Sequence, residues 1–208
     1  MKSKLKRQLE DAWRAPFKKQ LRKGLKREDF LIISSNCIAG TLLHDLGLPF
    51  NTPTINTTIY DFPQFCENLE ENLKITPTLA EDQYKPYPIF QINGINIHAV
   101  HYKSGEEFLS AWERRTKRFF EKLDEGYEVL LIATDAQLRE EGYKEAFQNL
   151  EGYRKVAFCK DKTDFKDFVF VPGYENETAA GDLTRFADKK GTRYFEKYFD
   201  CLKFINND

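Results

Sequence analysis

A thiol, two imidazoles and a carboxylate stand where apolar runs of this chain end, the places at which strands hand over to turns. Cys37 follows Phe30-Leu31-Ile32-Ile33 and Ser34-Ser35-Asn36. His98 and His101 close the run that begins at Ile95, and Asp135 follows Val129 to Ala133 and Thr134. A nucleophile, a base and a group that orients the base are the minimal set for covalent transfer chemistry. Cys37, His101 and Asp135 supply those three types as the candidate catalytic residues. Beyond Cys37, Ile38, Leu42, Leu43 and Leu46 recur at helical spacing, so a strand should pass through a polar turn into a helix. The unpaired amides of that helix start would attract an anion, with Ser35 and Asn36 beside it, and would lower the pKa of a thiol placed there. Asn36 and those amides could also hold a developing oxyanion.

Each of the three also has an ordinary structural role. Free cysteine is among the most buried residue types, His101 could hydrogen-bond within a core, and Asp135 suits the N-cap of a helix starting near Ala136. His98 is a further candidate for substrate or anion contact. Residues three apart on a strand face opposite sides, so His98 and His101 share an ion only across a bulge, and no metal site is expected. Arg114 and Arg115, with Lys117 and Arg118 beside Trp112, could hold an anionic substrate or form a solvated helix face. Tyr174 and Glu175 lie in a glycine-marked loop after a strand, a common place for ligand contacts. Cys66, Cys159 and Cys201 fall inside helix or strand patterns. No GxGxxG, Walker or GxSxG pattern occurs, which leaves nucleotide-binding and serine-hydrolase readings without support.

The elements that must position these residues alternate. Strands are expected at 30–33, 88–91, 95–102, 129–133, 155–159 and 168–171. Helices are expected after Cys37, from Asp61 to about Lys74, from Ser104 to about Leu123, from Ala136 to Leu150, and over 192–205. Gly47 with Pro49 should stop the first of these, Asn93-Gly94 should turn a hairpin, and Ser104 to Glu107 reads as a capping box. The fold class is therefore α/β: a mixed, mainly parallel sheet flanked by helices in a Rossmann-like three-layer arrangement, the hairpin making it mixed. Ligands of such sheets bind beyond the carboxyl ends of the strands, where the candidate residues fall.

The chain has 208 residues, 41% hydrophobic and 31% charged, with 18 Phe, 10 Tyr and one Met, as suits one aromatic-rich domain. No apolar run is long enough for a membrane span, no secretion signal is visible and the four cysteines form no CxxC pair. Reduced thiols and a cytoplasmic location are the expectation. Charge is lopsided: residues 1–27 carry eleven Lys or Arg against Glu10 and Asp11, within a chain whose net charge is −1. Leu5, Leu9, Trp13, Phe17, Leu21 and Leu25 recur every fourth residue there. A basic amphipathic helix over 1–27, separate from a single α/β domain over 28–208, is the natural division, although Pro16 should interrupt it. That helix suits either peripheral contact with an anionic membrane or docking on the domain. Nucleic acid is not expected, because the remainder of the chain is acidic.

Several of these segments together resemble a bacterial family of unassigned function whose members are often labelled exopolysaccharide-biosynthesis proteins. The resemblance rests on Ser35-Asn36-Cys37 with Gly40, Gly47 through Pro53, His98-Ala-Val-His101-Tyr102-Lys-Ser104, Trp112 through Arg115, Gly173-Tyr174-Glu175, and Gly191 through Phe195 running to Asp200. The chain departs from it at Ile38-Ala39, where an aromatic and a small residue are usual. The resemblance implies an α/β fold and a role in surface-glycan synthesis, as a transferase using an activated acyl or glycosyl donor. More distantly, the Asn-Cys turn looks like that of acyltransferase-like proteins that bind coenzyme A. Coenzyme A or a nucleotide sugar is the cofactor class implied, and a carbohydrate or an activated donor the partner. The alternative is a non-catalytic module that binds glycans or nucleotide sugars.

Overall fold

The computed structural model describes the backbone of residues 4–208 and the side chains of Glu10 and of residues 12–208. Its elements run α1 (Lys4–Gly24), β1 (Phe30–Ser34), α2 (Ile38–Leu46), β2 (Thr58–Ile59), α3 (Phe62–Glu67), α4 (Leu69–Lys74), β3 (Thr78–Leu79), β4 (Ile89–Ile92) and β5 (Ile95–His98). There follow α5 (Gly105–Asp124), β6 (Glu128–Thr134), a short 3-10 turn (Asp135–Gln137), α6 (Tyr143–Asn149), β7 (Arg154–Cys159), β8 (Phe168–Phe170), α7 (Tyr194–Tyr198) and α8 (Cys201–Asn206). None of the described helices is long and apolar enough to cross a membrane.

The apolar runs at 30–33 and 129–133 become neighbours in a parallel sheet of order β1-β6-β7-β8. Successive strand residues point to opposite faces, so both faces of this sheet are apolar and each needs its own cover. Leu31, Ile33, Leu131 and Ala133 pack with the aromatic stripes of α3 and α5, with Phe147 of α6 and with the second sheet. Phe30, Ile32, Leu130, Ile132 and Phe158 pack instead with α2, Leu21 of α1, Phe195 of α7 and Ile205 of α8. Three layers result.

The expected single mixed sheet is corrected. The Asn93-Gly94 hairpin forms as anticipated, with both residues at positive φ, but it builds a separate antiparallel sheet of order β2-β5-β4-β3. The parallel strands follow chain order without the reversal that defines a Rossmann-like sheet.

Local signals set several boundaries where expected. Gly47 adopts φ +76 and closes α2, with its amide donating to the His44 carbonyl and that of Leu48 to the Leu43 carbonyl. Ser104 caps α5 by accepting the Glu107 amide at 3.2 Å. Other helices are shorter than their patterns suggest. The 61–74 helix divides at Asn68, and Asp61 does not cap it, because its carboxylate accepts the Tyr143 hydroxyl at 2.9 Å. The 136–150 helix contracts to the 3-10 turn and α6. The tail divides at Asp200, which caps α8.

The N-terminal helix is not interrupted at Pro16. A proline inside a helix costs about 3 kcal/mol, and the docking of α1 overrides that local penalty. Of the expected stripe, Phe17, Leu21 and Leu25 dock on the core, but charged residues go inward beside them. Arg14, Lys18 and Leu21 are buried while Trp13 is 43% exposed; the side chains of Leu5 and Leu9 lie outside the described residues. What draws charged residues inward is Asp45, a wholly buried carboxylate on α2. It pairs with Arg14 at 2.9 Å, Arg193 at 2.7 Å and Lys18 at 3.4 Å. Arg14 also reaches Glu196 and the Gly191 carbonyl.

Burial alone would raise the Asp45 carboxyl, but Arg193, Arg14 and Lys18 hold it below the ordinary aspartate value. A carboxyl lowered by folding stabilises the fold above its unfolded pKa of about 3.9, and that contribution is lost as pH falls through the folded value. Asp45→Asn should therefore cost about 3 kcal/mol or more at pH 7, because it leaves cations buried without their partner. It should also flatten the loss of stability below about pH 4. Urea unfolding of both proteins between pH 2 and 8 measures both effects.

Candidate functional site

The turn after β1 is a polar joint. The Ser35 amide donates to the Ile132 carbonyl of β6, and the Ser35 carbonyl accepts from Ile59 of β2, both at 2.9 Å, so one residue ties the two sheets together. Its hydroxyl donates to Gln137 Oε1 at 3.1 Å and accepts the Thr134 amide. The Asn36 side-chain amide donates to Thr134 Oγ1 and Gln137 Oε1, while its Oδ1 accepts the Ile38 amide at 3.1 Å. Ser35 and Asn36, expected to hold an anion, thus place these groups in bonds within the protein, and Asn36 occupies one of the helix-start amides itself. Gln137, the acceptor at the centre of this network, was not among the expected residues.

Cys37 follows at the N-cap of α2 and faces a cleft of about 380 Å³. Gly40, Thr41 and His44 of α2, Glu10 and Arg14 of α1, Phe50 and Asn56, Thr184, Phe186 and Arg193, and His101 complete the lining. The structure thus brings Cys37 and His101 to one cleft. Its size is within the range of small-molecule sites, and its walls mix aromatic rings with hydroxyl, amide, imidazole and cationic groups.

The thiol departs from expectation. Burial pushes Cys37 up to about 12, and the Asp182 carboxylate adds to the rise. The pull of a helix N-terminus is overcome by desolvation of the thiolate. Asp135 is not positioned as the expected orienter of His101. Its Oδ2 accepts the Lys160 amide and its Oδ1 the Ala180 amide, each at 2.8 Å. It clamps the end of β6 to the end of β7 and to the loop beyond β8, and it does not cap a helix through its side chain.

The remaining candidates fall elsewhere. His98 is buried on the small sheet with Tyr60, Tyr84 and Tyr87 around its ring, away from the cleft. Arg115 is buried and donates to the Ile55 carbonyl and the Tyr102 hydroxyl, while Arg118 donates to the Phe50 carbonyl at 2.8 Å. These two fasten the segment that carries Phe50 and Asn56 into the cleft wall; Arg114 is exposed. Tyr174 is buried against Tyr194, and Glu175 is exposed with its carboxylate on the Gly173 amide, which lowers its pKa. Among the described residues no three His, Cys, Asp or Glu side chains converge where they could hold a metal ion.

Sequence reading missed Arg14, Arg193 and the aromatic walls. One signal was present: Asp45 lies three residues after Leu42 and seven after Ile38, on the stripe that α2 buries. An acid on a buried stripe requires a cation from another element.

Fold and cleft together define a three-layer α/β protein with a small, polar-lined site above the first strand. The chain matches the family described as domain of unknown function DUF1919 over residues 9–206, and it belongs to that family. It is similar to an uncharacterized protein of Haemophilus influenzae, with 30% identity over 190 residues that span 90% of this chain and 89% of that protein.

A thiol with a pKa near 12 is protonated at neutral pH, so its thiolate fraction at pH 8 should be roughly a thousandfold below that of a free cysteine. Iodoacetamide labelling followed by mass mapping should find Cys37 slow at pH 8 and accelerating only above about pH 10. Asp135→Asn keeps the side chain's size but turns one acceptor into a donor facing an amide. It should cost about 1–3 kcal/mol in urea unfolding.

Proposed function

We propose that this protein is a transferase of surface-glycan assembly whose cleft holds an activated donor, either a nucleotide sugar or an acyl-coenzyme A. One observation carries the reading: a cleft of about 380 Å³ combines His101 with Thr41, Asn56, Arg14, Arg193 and the rings of Phe50 and Phe186. Aromatic walls suit a ring, and the hydroxyl, amide and imidazole groups suit the hydroxyls and phosphate oxygens of such donors, while Arg14 and Arg193, held by Asp45, Glu196 and backbone carbonyls, shape the wall. The family resemblance carried by the Asn-Cys turn and the His98-to-Ser104 motif supports the same class.

In this reading His101 is the general base. It takes the proton of an acceptor hydroxyl as that oxygen bonds to the transferred carbon and the donor's diphosphate or thiolate leaves. Cys37 stays neutral and contacts the donor without forming a covalent intermediate. A second reading, binding without turnover, is favoured by the protonated thiol and by the engagement of both Asp135 oxygens with backbone amides. For either, Lys19, Lys23 and Lys26 on the exposed face of α1 and just beyond it are offered as a contact with anionic membrane.

Calorimetric titration with UDP-glucose, UDP-N-acetylglucosamine and acetyl-coenzyme A should give binding by at least one. His101→Ala should then lower transfer to a sugar acceptor by about 10²-fold or more with little change in donor affinity. Donor binding without transfer in the native protein selects the second reading, and no donor binding overturns both. Lys19→Glu with Lys23→Glu should reduce sedimentation with phosphatidylglycerol vesicles, and equal sedimentation overturns the membrane contact.

A further inference from the structure

At the small sheet, outside the lining of the cleft, three tyrosines surround one histidine. The ring centroids of Tyr60, Tyr84 and Tyr87 lie 5.0, 6.0 and 5.9 Å from that of His98, each at a steep interplanar angle. Two features are unusual for a core cluster. Tyr84 is 63% exposed and Tyr60 43% exposed, so large aromatic rings stand in water. His98, in contrast, is only 1% exposed, and its Nδ1 has no hydrogen-bond partner. A buried polar atom without a partner costs about 1–3 kcal/mol, and such atoms are uncommon enough to require an explanation.

The neighbours supply further polar chemistry. Asp61 and Lys85 are both near enough to act on the imidazole charge, and burial with Lys85 keeps the ring neutral at neutral pH. Asp61 is itself fixed by the Tyr143 hydroxyl. Tyr84 and Tyr87 sit in Tyr84-Lys85-Pro86-Tyr87-Pro88, where two prolines restrict the backbone and reduce the entropy lost when the rings take up a ligand.

We propose that this cluster is a glycan-docking site, distinct from the cleft, that takes a neutral pyranose unit. A pyranose has an apolar C–H face, which packs on exposed aromatic rings, and a rim of hydroxyls, which need donors and acceptors close by. Tyr60 and Tyr84 provide the rings, with Lys85 Nζ 5.3 Å from the Tyr84 centroid. Lys85 and Asp61 provide polar partners, and the buried His98 Nδ1 gains one when the tyrosine rings shift to admit a hydroxyl. A simple anion would find the Asp61 carboxylate beside it, and a purely apolar partner would leave the imidazole unsatisfied. The site deepens the glycan-directed reading of the protein, since it would hold the acceptor polymer while the cleft holds the donor.

The test titrates the full chain with hexasaccharides of glucose, galactose and N-acetylglucosamine, followed by saturation-transfer NMR. Tyr84→Ala should weaken binding of the preferred hexasaccharide about tenfold. His98→Phe, which keeps a ring and removes the orphan nitrogen, should weaken it similarly while the melting temperature holds or rises. The proposal is overturned if the native protein binds no hexasaccharide, if both variants bind as the native protein does, or if binding is lost only in His101→Ala, which would put the glycan in the cleft. Tyr84-dependent hexasaccharide binding together with no binding of nucleotide sugar or acetyl-coenzyme A supports this site and removes the donor reading of the cleft instead.

Discussion

A single buried carboxylate holds this structure in its working shape. Asp45 sits on the apolar side of α2 with no solvent to stabilise its charge, and an isolated ion in that setting is strongly unfavourable. The chain resolves this by bringing cations from its two extremes, Arg14 and Lys18 from α1 and Arg193 from the segment before α7. Glu196 then balances Arg14. Charge neutralisation at one point therefore decides where the first and last elements lie on the sheet. It also sets the cleft wall, because Arg14 and Arg193 are at once partners of Asp45 and lining residues.

The cleft floor follows from a second constraint. At the end of β1 the backbone leaves one sheet and must begin both a helix and a connection to another sheet. Ser35, Asn36, Thr134 and Gln137 satisfy one another there, which fixes the turn without solvent. The same internal satisfaction withdraws Ser35 and Asn36 from ligand contact and leaves Cys37 as the first residue facing the cleft. Desolvation then determines the character of that thiol: it is a neutral contact group at physiological pH.

Much of the local structure was legible in the residues. The run Phe30 to Ile33, the Gly47 stop, the Asn93-Gly94 hairpin and the Ser104 cap all depend on interactions within a few positions, and spacing alone reveals them. What spacing could not show depended on distant partners. Pro16 reads as a break, and only the docking of Arg14, Lys18 and Leu21 keeps α1 continuous. Asp135 reads as a cap or a catalytic acid, and only the approach of the Lys160 and Ala180 amides makes it a clamp. The hairpin reads as part of the main sheet, and nothing local says that it pairs with Thr58-Ile59 and Thr78-Leu79 instead. For the candidate site, Cys37 and His101 were found by the apolar runs that precede them, although β5 stops at His98, three residues short of His101, whereas Arg14 and Arg193 were hidden by their separation in sequence.

The Arg14 guanidinium meets the Gly191 carbonyl across 177 positions of chain. Nearby, Asn206 exchanges hydrogen bonds with the Gly24 carbonyl and the Lys26 amide. During synthesis α1 emerges long before the residues that complete its environment. Until then α2 carries an uncovered acid and the cleft has only part of its wall. A chain that stops before Arg193 therefore lacks both a partner of Asp45 and part of the cleft wall, so ligand competence reports that synthesis has passed that residue.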